Sequence, residues 1–331
     1  MTIDLGFAHC TTGNGTVLSF VDVPGHADFI RTMISGVSGV DIVMLIIDAN
    51  EGWKPQTEEH LGIIEVLGIS SGIVVLTKSD KVDADVLQQR QEEITSRLNT
   101  SSVTWHDTVV TSVTANTGIS ELITQIETLV ASQATKSQNT RPRLFIDRVF
   151  SMKGSGTVVT GTLEGGNLEA TSSLVVARTG TAVRVREIQT HGSVVNIAQS
   201  GTRCAVNLSG IDADELQRGD ALVNENDWHM SNVFDARIKV LPALQHALTH
   251  RGSFTLHVGT RSQSATLRIL QTDNIDPGQS GLVRIRFEHS LPLVPGDRFL
   301  VRDTGIGATV GGGIILDVDP RGRVKDAAPN G

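Results

Sequence analysis

The sequence predicts an α/β doubly wound domain followed by two small all-β barrels. Three observations predict this architecture. Residues 17–130 alternate continuous apolar runs with amphipathic segments of helical spacing, the pattern of parallel strands joined by crossover helices. Residues 132–143 hold almost no large apolar side chain and read as a linker. Beyond them, short alternating segments and Gly turns replace the helices, as expected of small β-barrels. The expected units are 1–135 for the α/β domain, 140–226 and 230–320 for the barrels, and 321–331 for a polar tail.

The first segment enters a strand directly, and Thr12-Gly13-Asn14-Gly15 reads as a hairpin turn into the next. Residues 17–21 form an apolar run, and Pro24 and Gly25 then turn the chain sharply. Residues 26–38 predict a helix, with Ile30, Met33, Ile34 and Val37 at helical spacing. Residues 41–48 are a continuous apolar run between two acids, so a strand buried on both faces. A helix over 57–67, a strand over 73–76 and a charged helix over 83–98 follow. A strand over 108–113 and a helix over 119–130, lined by Leu122, Ile126 and Leu129, complete the α/β pattern. The first barrel takes strands at 144–149, 156–164, 173–177, 182–190 and 202–208; residues 224–227 make the joint. The second takes 232–240, 251–258, 262–271, 280–287, 298–303 and 311–318.

Composition narrows the function classes. At 331 residues, with 39% hydrophobic and 19% charged content, this is a globular chain of two to three domains. The net charge of -8 gives no overall basic field for nucleic acid, so any RNA contact needs a local basic patch. Cys10 and Cys204 are the only cysteines, which argues against a disulfide framework or a zinc site and suits a reducing cytoplasm. No apolar run reaches membrane-spanning length, and the start carries no signal-peptide pattern, so no membrane partner is expected.

Two stretches carry chemistry. In Asp22-Val23-Pro24-Gly25-His26, an acid ends a strand and a Gly with an open amide follows. Such a carboxylate can hold Mg²⁺ through water, and the Gly N–H can donate to a terminal phosphoryl oxygen. His26 sits where it can orient an attacking water. The plain alternative is an ordinary strand-to-turn junction. In Thr77-Lys78-Ser79-Asp80, after the strand at 73–76, the carboxylate of Asp80 can accept both guanine N1–H and N2–H, which adenine does not offer. The stem of Lys78 can lie along the base.

Together these resemble the guanine-nucleotide-binding domain of translational GTPases, where an Asp-x-x-Gly element precedes an Asn/Thr-Lys-x-Asp element. Val113-Thr114-Ala115 resembles the Ser-Ala loop that packs under the base. The opening Met1-Thr2-Ile3-Asp4-Leu5-Gly6-Phe7-Ala8 resembles selenocysteine-specific elongation factors (SelB type). The barrel text Ile146-Asp147-Arg148-Val149-Phe150 and Val310-Gly311-Gly312-Gly313 extends that likeness over nearly the whole chain.

The resemblance implies an α/β doubly wound GTPase domain with GTP and Mg²⁺ as cofactors. It gives Thr2 and Asp22 to the metal, and Asp22, Gly25, Thr77, Lys78, Asp80, Thr114 and Ala115 to the nucleotide. His26 becomes the catalytic residue. Asp147, Arg148 and Arg203 become a cationic pocket for the ionised selenol of selenocysteinyl-tRNA. The alternative for those three is a salt bridge at a barrel surface. The implied function is delivery of that tRNA to the ribosome, with GTP hydrolysis there.

Departures from the family qualify this expectation. The phosphate cradle Gly-x-x-x-x-Gly-Lys-[Ser/Thr] needs a Gly-Lys pair, and the sequence contains none. The family's first strand, which precedes that cradle, has no counterpart either. Its absence is expected to leave two central strand edges unpaired, so the GTPase domain reads as incomplete and the chain as given as inactive. The winged-helix modules that hold an mRNA hairpin in the family are likewise not in these residues. Two further readings stay open: a non-enzymatic tRNA-binding or structural fragment with a dead nucleotide site, and a translational GTPase of the initiation-factor type.

Overall fold

The structure, a computed structural model, describes residues 4–26, 30–37, 39–132, 141–152, 156–225 and 227–321. It divides into two compact units, residues 1–33 with 40–136, and residues 34–39 with 137–331. The expected Mg²⁺ ligand Thr2 lies outside the described residues.

The first unit opens with an antiparallel hairpin, β1 (Gly6–Thr11) and β2 (Val17–Asp22), in which Gly6 faces Asp22 and Thr11 faces Val17. Asn14 makes the turn: its Oδ1 accepts from the Thr12 hydroxyl at 2.6 Å and from the Thr16 amide at 3.0 Å. Helix α1 is described over Ile30–Val37, and residues 27–29 of the expected helix lie outside the described residues. Then come β3 (Val43–Asp48), α2 (Pro55–Val66), β4 (Ser71–Thr77), α3 (Ala84–Leu98), β5 (Thr104–Val110) and α4 (Ile119–Ser132). Pro55 occupies the first turn of α2, where its missing N–H costs nothing. Asp83 caps α3 by accepting from the Val86 amide at 3.0 Å.

Strands β3, β4 and β5 form a parallel sheet in that order. Alternation along β4 explains its unbroken apolar run. Val74 and Leu76 face a cluster with Leu61, Ile94 and Leu98, while Ile73 and Val75 face Val109, Ile126 and Leu129. Among the described residues, the β1–β2 hairpin is a separate sheet and does not pair with β3. β3 is therefore an edge strand on one side, and its Ile46 is 54% exposed. In a sheet flanked by helices on both faces, an apolar strand at an open edge marks an unfilled place in the ladder.

The second unit begins at β6 (Arg143–Met152), so Arg143, which composition groups with the linker, is already a strand residue. β7 (Gly156–Glu164), β8 (Leu168–Glu169), β9 (Ser173–Val176), β10 (Ala182–Thr190), β11 (Ser193–Val195), β12 (Ile197–Ala198), β13 (Arg203–Ser209) and β14 (Ala221–Val223) follow. The order β10-β13-β7-β6-β14-β9 returns from β9 to β10 and closes a ring. Leu144, Ile146, Val159, Val185, Val206 and Leu208 fill it. β6 carries a bulge between Ile146 and Arg148, and Asp147 is the extra residue.

The last strands are β15 (Met230–Val240), β16 (Leu248–Thr249), β17 (Phe254–Val258), β18 (Arg261–Ile269), β19 (Asn274–Ile275), β20 (Ser280–Pro292), β21 (Arg298–Asp303) and β22 (Ala308–Asp317). Six of them close a barrel in the order β15-β20-β18-β17-β21-β22. Phe234 is its centre, with ring centroids 5.7 Å from Phe287 and 5.2 Å from Phe299. Gly311 and Gly313 let β22 close on β15, since a Cβ there would lie 2.4 Å from the Lys239 carbonyl oxygen and clash with that of Arg237.

The two barrels share a seam. Phe145 of β6 belongs to the core of the second barrel, and Thr260 donates to the Ile146 carbonyl at 2.7 Å. Arg143 pins the seam. It donates to Asp297 at 2.6 and 2.8 Å, to Glu164 at 2.7 Å and to the Pro292 carbonyl at 2.6 Å. Its guanidinium lies between the rings of Phe145 and Trp228, at 4.9 and 5.0 Å. Burial opposes the charge, but Glu164 and Asp297 outweigh it and hold the guanidinium protonated.

Candidate functional site

The ends of β3, β4 and β5 bring a group of polar residues together. The chain leaves β4 at Thr77, whose hydroxyl donates to the Ile47 carbonyl at 3.2 Å and ties β4 to β3. Lys78 follows in the left-handed conformation, with φ 58°. That conformation is costly for a side chain with a Cβ and marks a position fixed by its surroundings. Lys78 Nζ donates to Asp48 Oδ2 at 2.7 Å. Asp48 is in turn set by the Asn50 amide, which donates to its Oδ1 at 2.9 Å. Burial raises the Asp48 carboxyl, but Lys78 and the loop amides more than offset it and leave its pKa lowered.

Asp80 sits in the short turn after Lys78. Its Oδ1 accepts from the Ser112 hydroxyl at 2.6 Å. That bond, aided by the amide and ammonium groups nearby, holds its pKa below the ordinary value. Ser112 Oγ also accepts from the Ala115 amide at 3.0 Å, so one hydroxyl ties the turn after β5 to the Asp80 carboxylate. The Ser79 amide donates to the Thr111 carbonyl at 3.2 Å and completes the joint. The result is an ionised carboxylate, partly open to solvent, beside the stem of a lysine held in place.

Of the residues expected here, Thr77, Lys78, Asp80 and Ala115 come together, while Thr114 is exposed and makes no side-chain bond to Asp80 among those described. Ser112 and Asp48 are the residues that sequence reasoning missed. Ser112 stands two residues before the expected Thr114-Ala115, and β5 ends at Val110 rather than at 113. The signal for it was the polar pair Thr111-Ser112 directly after the apolar pair Val109-Val110.

Because Ser112 bonds the ionised form of Asp80, Ser112→Ala is expected to raise the Asp80 pKa toward its ordinary 3.8. A carboxyl lowered in the folded state contributes stability above its unfolded value, and that contribution is lost as pH falls through its folded value. The variant should thus lose less stability than the parent over that acid range. An NMR titration of the Asp80 carboxyl carbon checks this; an unchanged midpoint in Ser112→Ala would remove Ser112 from the account.

Asp22 and His26 end the hairpin side of the unit. Both are exposed, Pro24 between them is buried, and a Cβ added at Gly25 would meet nothing within 4 Å. The space beside the Gly25 Cα is thus open.

In the first barrel, Asp147 and Arg203 lie side by side. Arg203 donates to the Asp147 carboxylate at 3.0 and 2.9 Å and to the Thr160 hydroxyl at 2.9 Å. Thr160 also donates to Asp147 at 2.6 Å. The bulge at 147 turns the Asp147 carboxylate onto the face that carries Thr160 and Arg203. Arg148 is partly exposed and pairs with Thr160 along the ladder. Burial pushes the neighbouring Cys204 thiol up to about 12, so it is not a nucleophile.

Residues of both units match known proteins. The family model described as the elongation factor Tu GTP binding domain matches residues 1–132. The model described as the selenocysteine-specific elongation factor β-barrel domain matches residues 235–322. The selenocysteine-specific elongation factor of Desulfomicrobium baculatum is 39% identical over 323 residues, which is 98% of this chain and 51% of that protein. That of Escherichia coli (strain K12) is 30% identical over 327 residues, again 98% and 51%. This chain thus spans about half the length of the curated relatives it matches.

A crystal structure of a bacterial selenocysteine-specific elongation factor, EF-Sec, superposes with a TM-score of 0.84 at 30% identity, covering 95% of this chain and 51% of that one. The SelB factor of Methanococcus maripaludis, solved with the GTP analogue GppNHp, gives a TM-score of 0.84 at 26% identity, covering 96% and 74%. No helix among the described residues is long and apolar enough to cross a membrane. The likeness to selenocysteine-specific elongation factors thus runs from the hairpin through the second barrel, in sequence and in fold alike.

Proposed function

We propose that this chain supplies the base-reading end of a GTP site and two tRNA-holding barrels to a translational GTPase that brings selenocysteinyl-tRNA to the ribosome. The observation that carries the nucleotide part is the Ser112-Asp80 pair beside Lys78 and Asp48. The donor set fits guanine. An ionised carboxylate accepts N1–H and N2–H together, and a fixed lysine stem lies flat along a ring. Asp80 and Lys78 read the base, Thr77 and Ala115 frame it, and Ser112 orients Asp80. At the other end, Gly25 would donate its amide to a terminal phosphoryl oxygen, and Asp22 and Thr2 would hold Mg²⁺, which would neutralise phosphate charge there. His26 orients the attacking water.

Asp147 and Arg203 form a charged pair that favours an ionised selenol over a serine hydroxyl, with Arg148 adding positive charge nearby. Such work belongs in the cytoplasm. The initiation-factor reading has no observation in its favour beyond the shared GTPase elements.

Guanine reading has a direct test in a chimaera that places a relative's phosphate loop ahead of Met1. The chimaera is expected to bind GDP and GTP and to ignore ATP. Asp80→Asn should shift its preference toward xanthine nucleotides, because xanthine offers an oxygen acceptor where guanine offers an amino donor. Guanine selectivity that survives this substitution in a competition assay would show that Asp80 does not read the base.

A further inference from the structure

The barrel seam contains a buried guanidinium, that of Arg261, whose nearest carboxylate is already engaged by another arginine. Asp220, at the turn before β14, has a fully buried side chain, and Arg178 takes both its oxygens, at 2.7 and 2.9 Å. The Gln217 amide adds a third donor at 3.1 Å. Arg261, the first residue of β18, is 9% exposed and reaches the same carboxylate only at 3.8 Å, beyond a hydrogen bond. Its Nε is buried and has no hydrogen-bond partner. Two guanidinium groups therefore share one carboxylate, and of the two Arg261 is the buried one while Arg178 reaches solvent. A buried cation is costly unless it is paired, so this arrangement asks for a further anion.

The seam has a place for one. Arg178, Asp220 and Arg261 line a small cavity together with His289 and Ser290 of β20 and the backbone at Gly219. It admits about one water-sized group and opens to solvent on one side. A single oxygen of a tetrahedral anion fits there, with its remaining oxygens outward. Ser290 and His289 carry further groups able to donate to an anion. Glu288, which lies 3.9 Å from His289, is exposed and does not line the cavity. Gly219 keeps the cavity walls close: a Cβ there would lie 2.8 Å from Arg261 Cα and Cδ.

We propose that the seam between the two barrels is a binding site for a small inorganic oxyanion, of the phosphate or sulfate kind, held by Arg261 and Arg178. The site belongs to neither the nucleotide pocket nor the Asp147–Arg203 face, and stands whether or not those readings hold. The bound anion pairs with the Arg261 guanidinium and ties the first barrel to the second, so it stabilises the docked pair by mass action.

The test uses the 331-residue chain and inorganic phosphate at constant ionic strength. Barrel unfolding is expected to move to higher temperature along a saturating curve, and the phosphorus NMR line of phosphate to broaden with added protein. Arg261→Met, which keeps the stem and removes the charge, should abolish both effects. Arg261→Lys should keep them in weakened form, since a point charge replaces a fork; this variant also serves if Arg261→Met folds poorly. Equal phosphate shifts and equal line widths in the parent and in Arg261→Lys, or a non-saturating shift in the parent, would overturn the site.

Discussion

GTP titrated into the 331-residue chain is expected to give no binding isotherm in the micromolar range and no turnover. A nucleoside triphosphate in this fold is gripped mainly at its β-phosphate, by a ring of backbone amides and a lysine. The sequence contains no Gly-Lys pair to make that grip. The base-reading residues remain, but one carboxylate and one lysine stem hold guanosine only weakly against water. The sheet carries the same mark, for β2 and β3 stand in separate sheets. Hydrogen exchange should follow suit, with little protection in β1 and β2, more in β3 to β5, and the most in the two closed barrels. Micromolar GTP binding by calorimetry, with the hairpin as protected as the barrels, would defeat this account.

Arg143→Ala is expected to cost the barrels about 3–5 kcal/mol, the usual result of removing one partner from a buried ion pair. The side chain satisfies Asp297 and Glu164 at once and fills the space between two aromatic rings. Its removal leaves both carboxylates without that cation in the seam. Arg143→Lys should recover only part of the loss, because an ammonium cannot fork to both acids and stack between rings. Urea unfolding monitored by Trp228 fluorescence measures this. A loss below about 1 kcal/mol for Arg143→Ala would class the triad with surface pairs.

Much of this fold was legible in the sequence, for reasons that differ by element. β4 announced itself because both its faces are buried and every residue there is apolar or small. Helices α1 and α4 followed from apolar spacing, and the barrel strands from alternation. The short strands β8, β12, β16 and β19 were not legible, since each has two residues and no period to detect. Arg143 was hidden by composition: a charged residue beside Pro142 reads as linker until its acids arrive from 164 and 297. Ser112 and Asp48 were hidden likewise. Their roles rest on contacts to residues about thirty positions away, brought close by a parallel sheet that places strand ends side by side.

The three-residue strand β14 has a consequence for how the chain is made. It pairs with β6 on one side and β9 on the other, so the first ring has no closure until Val223 is in place. A ribosome adds roughly 5–20 residues per second. The partner strands β6 to β13 must therefore wait several seconds, with their inner faces wet, while the rest of the ring emerges. The second barrel repeats the delay, since β15 closes only on β22. Nascent chains arrested before Val223 should bind a holdase chaperone, and chains arrested well beyond it should release it.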